Sequence, residues 1–213
     1  MILRRAAEDI RYLVNRGYTK ESAIRFVSDH YNLPRGQRFV LFRVIIPEDA
    51  IFLRKSKKVP LKKLRDEKVF LDGYNVLIAV EALLAGENLY ICDDGFLRDT
   101  QGIFRNYKTS EFTEKALKEI LGLLFSVCPK NIQVLLDQQI SMSGQLAAEI
   151  REMMAMCGLT GTAKTAKDVD HQLKVAEGII ATGDGNILDV SARAVDLPGE
   201  ISKRLGLEPK AIF

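Results

Sequence analysis

Three short, β-prone apolar runs each meet an aspartate within two residues of their end. Val69-Phe70-Leu71 precedes Asp72, Ile132-Gln133-Val134-Leu135-Leu136 precedes Asp137, and Gly178-Ile179-Ile180-Ala181-Thr182 precedes Gly183-Asp184. Near-continuous apolar strands are buried on both faces, which happens in parallel sheets covered by helices. Helical patterns separate the runs. One passes through Val76, Val80, Leu83 and Leu84 to Gly86, one through Leu117, Ile120, Leu121, Leu124 and Phe125 after Ser110 as a cap, and one from about Ser143 to Cys157, closed by Gly158. Two further strands are predicted, over 89–92 and at Ala194 and Val195, before a closing helix near Leu205. Alternation of this kind predicts an α/β domain with a central parallel sheet.

Parallel strands share a carboxyl edge, and ligands of open α/β sheets bind there. Each aspartate taken singly can be a helix cap, the commoner use of the residue. Capping does not account for three on one edge, where crowded carboxylates repel unless a cation joins them. Lys167-Asp168-Val169-Asp170 opens a further helix and brings two more carboxylates, of which one need face the cluster. Gly73 allows a close turn after Asp72.

The chain divides electrostatically before Val69. Residues 1–68 hold 17 Lys and Arg against 8 Asp and Glu, a charge of +9, whereas residues 69–213 hold 14 against 20, a charge of −6. Such asymmetry suggests a polyanion-binding part joined to a part with another task. Residues 1–46 carry three helical patterns, the second capped by Thr19 and the third opened by Pro34 with Arg35, Arg38 and Arg43 on it, in a helix-turn-helix-like order. Residues 47–66 form a basic linker that includes Lys57 and Lys58 and is interrupted by apolar triplets, so that it packs in part on the domain over 67–213. Arg35, Arg38, Lys57 and Lys58 are the expected phosphate contacts of this front part. In the polar stretch 93–102, Arg98 and Thr100 are expected at the substrate edge, with Arg98 meeting a phosphate.

Several chemistries are excluded. His30 and His171 are the two histidines, too few for a His-rich zinc site, and no G-x-S-x-G elbow is present for a serine triad. Gly158 to Thr165 imitates a phosphate loop, but Ala163 replaces the glycine before Lys164. Cys92, Cys128 and Cys157 are odd in number and widely spaced, and read as small hydrophobes. No apolar run approaches the roughly 18 residues of a membrane span, and the N-terminus lacks a secretory signal, so a cytoplasmic protein with no membrane partner is expected.

Asp72-Gly73-Tyr74-Asn75, Asp137 after its strand, Lys167-Asp168-Val169-Asp170 and Thr182-Gly183-Asp184-Gly185-Asn186 resemble the ordered acidic motifs of the NYN branch of PIN-like nucleases. The resemblance runs from about Val69 to the C-terminus. It implies a PIN-like three-layer α/β/α domain and a Mg2+- or Mn2+-dependent ribonuclease centre, with Asp72, Asn75, Asp137, Asp170 and Asp184 as catalytic residues. Asp168 and Asn186 stand beside these as further metal ligands. Asp168 occupies a position where the family usually has glycine, and Asn186 one where a further aspartate is frequent; Asn186 brings a carbonyl but no charge. RNA is the implied partner, with DNA as the alternative and a homodimer as one assembly open to the chain. The competing expectation is a non-catalytic nucleic-acid-binding or regulatory protein on a decayed nuclease fold. The whole chain, helical front and PIN-like back, also resembles a prokaryotic family of unknown function.

Overall fold

The computed structural model describes residues 2–100 and 107–212; the end of the expected polar stretch, at residues 101 and 102, lies outside them. Three helices come first: α1 (Ile2–Val14), α2 (Lys20–His30) and α3 (Arg35–Val44). Thr19 caps α2 through the amide of Ser22, and Pro34 opens α3, as their positions imply. These helices bury Ala6, Ile10, Ile24, Val27, Leu41 and Ile45 against one another, and Cys92 and Ile212 from the rest of the chain complete the same core.

The expected linker is largely helical. α4 (Glu48–Lys57) follows Pro47, and residues 61–64 form a single 3-10 turn. Just after α4, Val59 donates its amide to the carbonyl of Ala194 at 2.8 Å, so that this segment adds a bridge to the edge of the sheet.

The α/β part begins with β1 (Lys68–Asp72) and α5 (Gly73–Leu84). A hairpin of β2 (Leu89–Ile91) and β3 (Leu97–Asp99) follows, then α6 (Thr113–Val127), β4 (Asn131–Asp137), α7 (Ser143–Met156), β5 (Gly161–Ala166), α8 (Val169–Lys174), β6 (Ile179–Ala181), α9 (Gly185–Leu188), β7 (Ala194–Val195) and α10 (Leu197–Leu205). Five strands make one parallel sheet in the order β5-β4-β1-β6-β7, with β1 at its centre. After β5 the chain crosses to the other side of β1, so the topological switch falls beside the strand that ends in Asp72.

Strand alternation sorts the residues between two faces. Val69, Leu71, Ile132, Val134, Leu136, Ile179 and Ala181 join the large core under α5, α6, α7 and α10, whereas Leu135 and Ile180, with Phe70 packed against them, meet Val169, Leu173 and Ile187 of α8 and α9. Asp72 and Asp137 share parity with Phe70 and Leu135, and therefore stand on the α8–α9 side of the sheet edge.

Two elements depart from the sequence reading. The segment 89–92 belongs to a separate antiparallel hairpin rather than to the parallel sheet. The phosphate-loop imitation is a strand, β5, whose Gly, Thr, Ala and Lys composition lacks the apolar density expected of a strand because it lies at an edge.

The hairpin turn joins the basic front to the acidic back. Asp93 accepts from Arg11 at 2.7 and 3.0 Å and from the Ile46 amide at 3.2 Å. Asp94, fully buried, accepts from both Arg98 terminal nitrogens at 2.7 Å and from Arg54 at 3.2 Å, while Arg54 also forks onto Asp189 at 2.6 and 2.8 Å. Burial alone would raise the Asp94 carboxyl, but the two guanidinium groups hold it below the usual aspartate range. Asp94→Ala leaves two buried cations without this partner and is expected to cost about 3–5 kcal/mol, a melting decrease on the order of 10 °C by thermal denaturation. A loss under about 1 kcal/mol would contradict a structural role for this network.

Candidate metal and nucleic-acid site

β1 delivers Asp72 to the sheet edge, and α5 starts at once. A Cβ on Gly73 would stand 2.6 Å from Leu136 Cδ2 and 2.8 Å from the carbonyl oxygen of Leu135, so only glycine allows α5 to leave β1 this close to β4. The Asp72 side chain reaches no α5 amide at hydrogen-bond distance, although the Asn75 amide in the first turn still favours its charged form. Instead its Oδ2 accepts from the Thr182 hydroxyl at 2.8 Å, and the same Thr182 oxygen accepts the Asp184 amide at 3.0 Å. One threonine at the end of β6 thus ties two of the expected aspartates together.

The turn between Asp72 and Asp184 is gripped from both sides. Asn75 Oδ1 accepts the Gly183 amide at 2.7 Å, and Arg98 Nε donates to the Gly183 carbonyl. Arg98 is 4% exposed, and its fork is taken by Asp94. In this structure the guanidinium braces the loop that carries Asp184 instead of presenting its fork to the cavity.

A cavity of about 860 Å3 opens at this edge, and Asp72, Asn75, Asp137, Asp168, Asp170 and Asp184 all line it. Asp99 joins them from β3, Lys167 from the turn before α8, and Phe39 and Arg43 from α3 of the helical front. The edge predicted from three strand ends is thus one place in the fold.

Most of its carboxylates are turned onto nearby donors. Asp137 accepts the Gln139 amide at 2.8 Å, Asp184 caps α9 through the Asn186 amide at 2.7 Å, and Asp168 accepts from the Gln172 side chain at 2.8 Å. Capping is therefore a real part of the role of Asp184. Asp170 is exposed and Asn186 lies exposed on α9. Among the described residues no group of three or more Asp, Glu, His or Cys side chains closes on a common point as a ligand set.

Asp72 differs from its neighbours in its electrostatics. Burial raises its carboxyl from 3.8 to about 7, the charges of Asp184 and Asp170 push the same way, and the Thr182 hydrogen bond opposes them. All-oxygen donors suit hard divalent cations, and a carboxyl kept protonated by burial and, secondarily, by its acidic neighbours is one that an added positive charge would ionise.

The remaining expected contacts lie elsewhere. Lys57 donates to the carbonyls of Leu188 and Asp189 at 2.9 and 2.6 Å, and Lys58 to Asp196 at 2.9 Å and to the Gly95 carbonyl. Both lysines fasten α4 to the α/β part instead of facing solvent for phosphate. Arg38 is engaged by Asp29 and the Leu33 carbonyl, Thr100 donates to the Asn88 carbonyl at 3.3 Å, and Arg35 is exposed at the start of α3.

Sequence reasoning missed Thr182, Phe39, Arg43 and Lys167 as residues of this edge. Strand alternation gives Thr182 the same face as Asp72, a signal that was present. For Phe39 and Arg43 there was none, because nothing local says which surface α3 will meet.

Residues 61–200 match the family described as Domain of unknown function (DUF5616), and residues 2–57 match Protein of unknown function (DUF434). An uncharacterized protein of Methanocaldococcus jannaschii is 37% identical over 188 residues, covering 88% of this chain and 89% of that protein. No solved structure matches.

The raised Asp72 carboxyl makes a pH prediction. The folded state keeps this proton up to about pH 7 while the unfolded chain releases it near 3.8, so the folded state binds more protons in that window and its stability falls as pH rises through it. In EDTA, Asp72→Asn is expected to match wild type near pH 4 and to exceed it at pH 8 by roughly a few kcal/mol in thermal denaturation. A difference constant from pH 4 to 8 would contradict the raised value.

Proposed function

The chain belongs to the family described as Domain of unknown function (DUF5616), and we propose that its member here is a metal-dependent ribonuclease on a PIN-like fold, hydrolysing phosphodiester bonds at the Asp72 cavity. One observation carries the reading: carboxylates from separate elements, Asp72, Asp137, Asp170 and Asp184, line a single cavity at the switch point of a parallel sheet.

Asp72 and Asp184 would hold Mg2+ or Mn2+ directly, and Asp137 and Asp170 directly or through water, with Asp168 and Asn186 at the rim. What a divalent cation supplies when bound is neutralisation of charge developing on the phosphate and a water of lowered pKa. Asn75 and Thr182 orient the loop and the two central carboxylates through the bonds they already make. Arg98 and Asp94 keep that loop from relaxing when charge enters the cavity.

A second reading is a non-catalytic nucleic-acid-binding or regulatory protein on a decayed fold of the same type. The absence of a closed ligand set among the described residues and the neutral Asn186 favour it. Cleavage separates the two. The purified chain is expected to cut an RNA oligonucleotide with Mg2+ or Mn2+ and not in EDTA. Asp72→Asn should lower the rate at least about 100-fold. Undiminished cleavage in EDTA overturns the metal-dependent reading, and RNA binding without any cleavage favours the second.

A further inference from the structure

The helical front does more than adjoin the α/β part, because α3 forms one side of the Asp72 cavity. Phe39 and Arg43 lie four residues apart, one turn along one helix face, and both line the cavity. The opposite face, with Leu41, Val44 and Ile45, is fully buried in the helical core. α3 is also bolted in place: the Val44 carbonyl accepts the Asp93 amide at 3.0 Å, and Asp93 accepts the Ile46 amide at 3.2 Å. Arg43 itself leans on β3, donating to the Asp99 carbonyl at 3.3 Å with its guanidinium 3.6 Å from the Asp99 carboxylate.

The lining of the cavity is chemically divided. Its floor is acidic, and a polyanion can approach such a floor only where cations offset it. Among the described residues the cations that line it are Arg43 on the α3 side and the exposed Lys167 on the α8 side. The 3.6 Å pair that Arg43 makes is long for a charge-assisted bond, which leaves the guanidinium able to turn to a phosphate. Phe39, half-buried, is one of the apolar side chains that line the same cavity, with Ile78, Ile140 and Val169. An aromatic face beside a cation is how proteins hold a base and its phosphate.

We propose that Phe39 and Arg43 of α3 are substrate-positioning residues of the Asp72 site, Phe39 stacking on one base of the nucleic-acid strand and Arg43 holding its phosphate opposite Lys167. The substrate site is therefore a composite of the two family segments, the one over 2–57 and the one over 61–200. The inference rests on the nucleic-acid reading above, but not on cleavage. A base must leave any duplex to lie on Phe39, so the site engages an unpaired nucleotide.

The test uses the full chain and a fluorescein-labelled single-stranded RNA oligonucleotide, with binding read by anisotropy in the Asp72→Asn background. Phe39→Leu is expected to weaken binding roughly tenfold, and Phe39→Tyr, which keeps the ring, to retain it. Arg43→Gln should weaken binding by a similar factor and reduce the slope of log K against log salt by about one. Phe26→Leu, at an aromatic 69% exposed on α2 outside the cavity, serves as the control and should change nothing. In the active protein with Mn2+, Phe39→Leu should raise KM for the oligonucleotide more than it impairs hydrolysis of bis(4-nitrophenyl) phosphate, which has no base to stack. Thermal melting verifies that each variant is folded. Parent-like binding by both Phe39→Leu and Arg43→Gln overturns the proposal, as do equal losses on the two substrates or no oligonucleotide binding by the parent. If the wild-type chain cleaves nothing with Mn2+ while Phe39→Leu still weakens binding in the Asp72→Asn background, the hydrolase reading falls and the composite site stands.

Discussion

The hydrogen bond from Thr182 to Asp72 joins the ends of two strands that are 110 residues apart in sequence. It exists because the chain, having built β4 and β5 on one side of β1, crosses back to lay β6 on the other. Without that crossover, Asp184 would have no fixed relation to Asp72. With it, the Thr182 hydroxyl donates to Asp72 and accepts the Asp184 amide, and Asn75 and Arg98 fix the intervening Gly183. A buried carboxylate is costly, and burial, helped by the charges of Asp184 and Asp170, keeps this one on the edge of ionisation.

The basic half of the chain is spent in an unexpected way. A +9 segment invites the thought of an independent polyanion-binding module. Yet Arg11, Arg54, Lys57 and Lys58 are used on Asp93, Asp94, Asp189, Asp196 and carbonyls of the acidic half. Charge asymmetry along the sequence has become charge complementarity across an internal interface. Removing residues 1–58 would take Arg11 from Asp93, Arg54 from Asp94 and Lys58 from Asp196, carboxylates that are all buried or nearly so.

Much of this was legible in the residues. Apolar runs ending in aspartate located β1, β4 and β6 and their shared edge, and Thr19, Pro34, Gly86 and Gly158 marked helix ends where the structure has them. What was not legible depended on tertiary partners. Arg98 reads as a phosphate contact until Asp94 and Gly183 are seen to occupy it. β5 escaped because an edge strand can be built from Thr, Ala and Lys. Arg43 and Phe39 reach the cavity only because Asp93 docks α3 on the hairpin, and no local pattern encodes that.

The account turns on whether the carboxylates at this edge are a cation site. Crystals of the full chain grown or soaked with Mn2+ at pH 8, where Asp72 is ionised, test it by anomalous diffraction at the manganese edge. The account predicts an anomalous peak with oxygen ligands at about 2.0–2.3 Å from Asp72 and Asp184. A map with both side chains ordered, Asp184 still capping α9, and no anomalous density in the cavity would contradict it.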